Sequence, residues 1–242
     1  MRDYKDHLIL QNSNIKEALL MLGEVGLDTI LFVIDSEQRL LGSITDGDVR
    51  RGLLKGFTAE SKVGEFMNLT PKFLCKDAYS INDVVKLRKE GFKVIPIVNP
   101  RKEVINILNF RVQKSYLPVD AVIMAGGLGT RLKPLTDSKP KPLLEIGGKA
   151  IIDYNVDRLR KFGIDDFWMS VRYLGEQIED HFGNGKNKNI NIEYVWEDKP
   201  LGTIGAVSKI NNFKHDYILV TNSDILTNLN YEDFLLDFID KN

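Results

Sequence analysis

Apolar positions in the first 116 residues fall into two series with the same order. From about Asn14 the chain places Ile15, Ala18, Leu19 and Leu22 at helical spacing, and Gly26 breaks the pattern. The apolar run 30–34 predicts a strand and the polar stretch 35–38 a turn. Residues 40–45 then predict a second strand, leading into a helix opened by Asp46-Gly47-Asp48. The order returns further on. Ile81, Val84, Val85 and Leu87 mark a helix, Gly91 a break, 94–98 a strand, Asn99-Pro100 a turn and 104–108 another strand. This is the pattern of a duplicated unit. Each copy alone would leave an apolar sheet face open to water, so the copies are expected to pack on each other.

After a junction at 114–118 the pattern changes to strict alternation. Strands are predicted at 121–125, 166–171, 190–196 and 217–221, with helices at 150–162, 175–182, 201–210 and 231–239. Strands alternating with helices argue for a mostly parallel, doubly wound sheet that binds ligands at the carboxyl ends of its strands. The expected class is therefore α/β, with a duplicated domain over 1–116 and a Rossmann-like domain over 118–242.

Composition narrows the partners. The 242 residues carry 33 basic and 34 acidic side chains, a net charge of −1. That balance gives no bulk reason to expect nucleic acid or an anionic membrane, so any phosphate must be held by local placement. Cys75 is the only cysteine, which excludes an intrachain disulfide and a cysteine-rich zinc site. The start, MRDYKDHLIL, has no signal-peptide core, and no apolar run is long enough to span a bilayer. A cytoplasmic location is the expectation. His7, His181 and His215 lack metal-ligand spacing and read as surface residues, while Trp168 and Trp196 read as core.

The chemistry concentrates in 120–142, DAVIMAGGLGTRLKPLTDSKPKP. An apolar strand runs into Gly126, Gly127 and Gly129, whose lack of Cβ lets backbone N–H groups approach a phosphate. Arg131 follows, a permanently charged donor fork suited to a polyphosphate. Pro134, Pro140 and Pro142 stiffen the segment around Lys139 and Lys141. A Walker loop is excluded, since Gly148-Lys149 is followed by Ala150 and not by a hydroxyl residue. The dinucleotide fingerprint is excluded too, because Gly127-Leu-Gly129 lacks its third glycine.

GGLGTRLKPLTDSKPKP resembles the signature of the sugar-1-phosphate nucleotidyltransferases, or NDP-sugar pyrophosphorylases. The likeness continues through PLLEIGGKAIIDYNVDRLRKFGID, VRYLGEQIEDHFG, EDKPLGTIGA and VTNSD, and so covers about 119–242. It implies transfer of a nucleoside monophosphate from an NTP to a sugar 1-phosphate, with release of pyrophosphate. It also implies roles for residues. Arg131 would hold the β- and γ-phosphates, Lys141 the α-phosphate, and Asp224 of Asn222-Ser223-Asp224 a Mg2+ ion. Serine at 223 is a mild departure from the family's usual glycine. Ala125, Gly126, Gly127, Gly129, Thr130, Gly202 and Thr203 would contact the nucleotide. Glu197 stands where the family places a base-reading side chain, and its acceptor-only carboxylate leans toward the donor edge of guanine. A plain surface glutamate is the alternative. Lys139 reads as a solvated lysine. In this resemblance the sugar-binding part and a second metal-binding aspartate lie beyond Asn242. The chain then reads as truncated, binding nucleotide without turnover.

The duplicated unit resembles a pair of cystathionine β-synthase (CBS) domains, a Bateman module, through Gly42-Ser43-Ile44-Thr45-Asp46-Gly47-Asp48. The resemblance implies an adenosine site at Thr45 and Asp48 for AMP, ADP or ATP. The alternative is that these residues only cap a helix. The second copy, matched over 105–112, puts Leu108 and Arg111 at those two positions and so lacks the pair. CBS pairs imply a homodimer. This order of modules is similar to enzymes of bacterial surface-sugar pathways, including those making nucleotide-activated glucosamine for legionaminic acid. The competing reading is an adenine-nucleotide sensor attached to a catalytically incomplete transferase domain.

Overall fold

A computed structural model describes residues 3–199, 201–202 and 204–241. The chain divides into two compact units, 1–112 and 113–242. Gln113–Leu117 belongs to the second, where Lys114 N–H donates to Lys161 O at 2.6 Å and Leu117 N–H to Phe162 O at 3.0 Å.

The first unit contains β1 (Leu8–Leu10), α1 (Ile15–Val25), β2 (Ile30–Ile34), β3 (Leu40–Thr45) and α2 (Asp46–Leu54). It continues with β4 (Leu74–Cys75), α3 (Ile81–Lys89), β5 (Val94–Val98) and β6 (Val104–Asn109). Two three-stranded sheets result, β1-β2-β3 and β4-β5-β6. In each, the first pair is parallel and the second antiparallel, with a register shift at Val33/Ile34 and again at Ile97/Val98. The duplication is thus preserved down to the bulge. Its pseudo-symmetry also shows in reciprocal bonds between the copies. Leu40 N–H donates to Lys102 O at 2.8 Å, and Val104 N–H to Gln38 O at 3.0 Å.

Packing explains why 30–34 carries no polar residue. Leu31 and Val33 face the helices, in a cluster with Ile15, Ala18, Leu22 and Val49. Phe32 and Ile34 face the other way, onto Val94, Val98, Val104 and Ile107 of the second copy. A strand covered on both faces reads as one apolar run. The helices begin where side chains can satisfy free N–H groups: Asn14 with Glu17, Thr45 with Asp48, and Ser80 with Asp83 all form capping boxes.

The register corrects one match between the copies. Ile30 pairs with Thr45 as Val94 pairs with Asn109, so Asn109 and Val112 stand opposite Thr45 and Asp48, not Leu108 and Arg111. Aligning apolar runs slipped by one residue, the error a period-two pattern invites. The second copy still lacks the Thr/Asp pair.

The second unit contains β7 (Val119–Met124), the short pair β8 (Glu145–Ile146) and β9 (Lys149–Ala150), α4 (Ile151–Lys161) and β10 (Asp166–Val171). It closes with α5 (Gly175–Phe182), β11 (Asn191–Trp196), β12 (Tyr217–Asn222) and α6 (Tyr231–Asp240). Its main sheet runs β11-β10-β7-β12, all parallel. The chain builds outward from β7 through β10 to β11, then returns to the far side of β7. The strand order therefore reverses at β7/β12, where α/β sheets open their ligand crevice. At the opposite end, fully buried Asp120 accepts from Lys214 N–H at 2.9 Å and His215 N–H at 2.8 Å, fixing the entry to β12.

Three expectations change here. Among the described residues of 201–210 there is no α-helix; a 3-10 helix covers Gly205–Lys209, with no side-chain cap. Gly202 at φ +78° and Gly205 lower the helical tendency of the segment. His7 is buried, its Nδ1 2.9 Å from Ile30 O, and the His215 side chain is only 8% exposed. Trp168 is core, but Trp196 is 39% exposed because β11 is an edge strand of this sheet. Among the described residues no helix is long and apolar enough to cross a membrane.

Candidate nucleotide site

The crevice is built from strand ends. Ala125 N–H donates to Ser170 O at 2.8 Å, and Ser223 N–H to Met124 O at 3.1 Å, so the segments leaving β7, β10 and β12 are stitched together. From α4, the amide of buried Asn155 donates to Ser223 O at 2.7 Å and holds the turn that carries Asp224. Gly129 adopts φ +62°, and a Cβ there would stand 2.9 Å from Thr136 Cγ2 and 3.2 Å from Lys141 Cβ. The glycine loop is thereby folded against the segment that bears Lys141. The Thr136 hydroxyl donates to Gly129 O at 2.9 Å and closes that contact.

Lys141 opens a 3-10 helix, Lys141–Leu143, behind Pro140. Its Nζ pairs directly with the Asp224 carboxylate, 83 residues along the chain. Both side chains are about one-third exposed and line a cavity of about 370 Å³. Of the expected residues, Ala125, Gly126, Gly127, Glu197 and Gly202 line it as well. Gly129 and Thr130 do not, nor does Arg131, which is exposed. Thr203 lies outside the described residues. Lys139 pairs with Glu145 at 2.9 Å, at the surface.

Glu197 is 8% exposed, so it is not a surface glutamate. The Ser170 hydroxyl donates to its Oε1, and Leu201 N–H donates to its Oε2 at 3.2 Å. Sequence reasoning missed Ser170, Asn155 and the lining residues Arg172 and Asn222. Ser170, Arg172 and Asn222 lie at or just past the ends of predicted strands, a signal that singles out no residue type, and Asn155 lies within the predicted helix 150–162, where nothing marked it.

The donor set at Asp224 fits magnesium. One hard carboxylate at a crevice, with space for phosphate oxygens and water, is how Mg2+ is commonly held. A separate cluster of possible ligands, Asp165, Asp166 and His215, lies at the opposite ends of the strands, where Lys214 Nζ already pairs with Asp166 at 2.7 Å.

The first unit has its own cavity, of about 1060 Å³, lined by Thr45, Asp48, Arg51, Lys55 and Lys93 among others. Asp48 Oδ2 accepts from Thr45 N–H at 2.9 Å and from the Thr45 hydroxyl at 2.7 Å, while Arg51 donates to Oδ1 at 2.6 Å. Partial burial pushes the Asp48 pKa up, but the Thr45 and Arg51 bonds outweigh it and hold the carboxyl below its ordinary range.

Comparison with known proteins gives three findings of weight. The family model for nucleotidyl transferase matches residues 120–242. A mannose-1-phosphate guanylyltransferase of Mycobacterium tuberculosis is 38% identical over 121 residues, which is 50% of this chain and 33% of that protein. An N-acetylmuramate alpha-1-phosphate uridylyltransferase of Neisseria meningitidis is 37% identical over 113 residues, 46% of this chain and 49% of that one. The chain spans less than half the length of these relatives. A solved glucose-1-phosphate thymidylyltransferase of Bacillus anthracis, itself described as putative, is 24% identical with a TM-score of 0.46, covering 50% of each chain.

Proposed function

The chain belongs to the nucleotidyl transferase family, and from that premise we propose that it serves transfer of a nucleoside monophosphate from an NTP to a sugar 1-phosphate. In that reaction a sugar-phosphate oxygen bonds to the α-phosphorus, and the bond from phosphorus to the pyrophosphate oxygen breaks. No protein nucleophile is needed; the work is positioning and charge neutralisation. The observation that carries the reading is the convergence of Lys141 and Asp224 beside the Gly126-Gly127 backbone, in one crevice.

Each side chain then has a task. Lys141 turns from Asp224 to the α-phosphate and neutralises charge as it develops. Asp224 is the residue that would hold Mg2+, which when bound offsets the charge of the phosphate oxygens. Arg131, exposed and without a polar partner among the described residues, is free to fold onto the leaving pyrophosphate. Glu197, fixed by Ser170, offers acceptors to the base, which favours guanine and so GTP. The relatives named above include both guanylyl and uridylyl transferases, so the base must be chosen by residues such as these.

For the first unit we propose an adenine nucleotide in the cavity beside Thr45 and Asp48, acting as regulator, with the unit also mediating homodimer formation. A place in bacterial surface-sugar synthesis and in the cytoplasm fits this reading. The test is pyrophosphate release by the full-length protein with GTP and a panel of sugar 1-phosphates. Release that depends on Lys141 supports the proposal; release unchanged in Lys141→Ala refutes it.

A further inference from the structure

Arg172 and Glu197 each stand one residue beyond a strand end, on neighbouring strands. Val171 of β10 lies opposite Trp196 of β11, and Glu197 N–H donates to Val171 O at 3.0 Å. Both residues line the 370 Å³ cavity, against the same glycine. A Cβ on Gly126 would meet Glu197 Oε1 at 3.3 Å and Arg172 Cβ at 3.4 Å. Glu197 is held by Ser170 and Leu201. The Arg172 guanidinium has no hydrogen-bond or ion-pair partner among the described residues. A residue with a donor-only fork and one with an acceptor-only carboxylate thus line one cavity from neighbouring strands, without pairing.

The site also has two ends. Asp224 follows β12, whereas Arg172 follows β10, and β7 with its glycine loop lies between them. With strands about 4.8 Å apart, the two anchor points are on the order of 10 Å from each other. The Lys141/Asp224 end is suited to phosphate and metal, which leaves the base for the Arg172/Glu197 end.

Resting on the reading of this cavity as a nucleotide site, we propose that Arg172 is a specificity-determining residue that donates to O6 and N7 of a guanine base. Guanine offers two adjacent acceptors on one edge and the N1–H and N2–H₂ donors on another. Arginine matches the first edge and glutamate the second. Adenine places a donor amine at position 6, facing the donor fork. Uracil and thymine offer O4 but no ring nitrogen beside it. Of the common bases, guanine alone satisfies both side chains.

The test is calorimetric titration of the protein with GTP, 7-deaza-GTP, ATP and UTP in the presence of Mg2+. Wild type should bind 7-deaza-GTP, which lacks N7, about tenfold more weakly than GTP. Arg172→Ala should bind GTP roughly ten- to a hundredfold more weakly than wild type and no longer distinguish it from 7-deaza-GTP. UTP binding should change little in that variant. The wild-type comparison needs no substitution, so it stands even if a variant misfolds. Equal wild-type affinity for GTP and 7-deaza-GTP overturns the proposal. So does an equal loss of all nucleotides in Arg172→Ala, which would place the guanidinium on phosphate and leave the nucleotide site intact. If wild type binds no nucleotide at all, both the site and the specificity role fail.

Discussion

Asp48 and Asp224 are both aspartates just past the carboxyl end of a strand, beside a cavity, and in contact with a cation. They differ in where their partners come from. Every partner of Asp48 given above lies within three residues of it: Thr45 on one side and Arg51 on the other. A helix start selects that arrangement for its own stability. Asp224 reaches its partner only because the fold brings residue 141 beside residue 224. No local structure needs that pair, and separating two charges at a crevice leaves each available to a ligand. A constellation closed by its neighbours is explained twice, by structure and by function, whereas one closed across the chain has fewer explanations.

The sharpest way to test that contrast is to remove one member from each. Lys141→Ala should lower kcat of the full-length protein by about a hundred- to a thousandfold, or about 3–4 kcal/mol, with a smaller effect on KM. Steady-state pyrophosphate release reads both constants, and a change in KM alone would reduce Lys141 to a ground-state binder. Asp224→Asn should also lose activity but regain part of it at high magnesium, measured as rate against Mg2+ concentration. Full rate at low magnesium would make Asp224 a turn residue after all.

On the other side, Asp48→Ala should abolish adenine-nucleotide binding by the first unit, read by calorimetry as loss of at most one site per chain. Thr45→Ala should cost about 1 kcal/mol of stability through the lost cap, measured by denaturant unfolding. If the stability loss appears and Asp48→Ala leaves adenine binding unchanged, capping accounts for the pair entirely. The smallest effect concerns acid. The Asp48 pKa is lowered on folding, so its stabilisation is complete above the ordinary carboxylate value of 3.8 and is lost as pH falls through the folded-state value. Asp157 behaves alike, held down by Lys149 and Lys188 against the opposing effect of burial. Asp157→Asn should flatten the acid limb of the stability curve below about pH 4 and leave its slope near neutrality unchanged.

What the sequence revealed follows the same division between near and far. The duplication and the alternation of strands and helices are short-range patterns, and they were legible. So was the glycine loop with Lys141 and Asp224, because a motif is a local string. The slip between Leu108 and Asn109 arose where an apolar run alone had to set register. The exposure of Trp196 was hidden because strand periodicity does not say which strand lies at a sheet edge. Asn155 and Ser170 hold parts of the site from α4 and β10, Arg172 lines it from just past β10, and no spacing marks them.

The order β11-β10-β7-β12 gives β12 one partner strand among the described residues, β7. Ile218 is 41% exposed on it, whereas β7 is buried almost throughout. Local opening is least costly where backbone bonds are solvent-facing and few side chains are covered. Amide protons of β12 should therefore exchange with deuterium faster than those of β7 or β10. A nucleotide spanning from Gly126 to Asp224 would bridge the loosest strand to the most protected one. At a hundredfold excess over Kd, such a ligand raises the free energy of any opening that breaks the site by about 2.7 kcal/mol. The retardation of exchange should then be concentrated in residues 217–222, turning the weakest strand of the sheet into a reporter of occupancy.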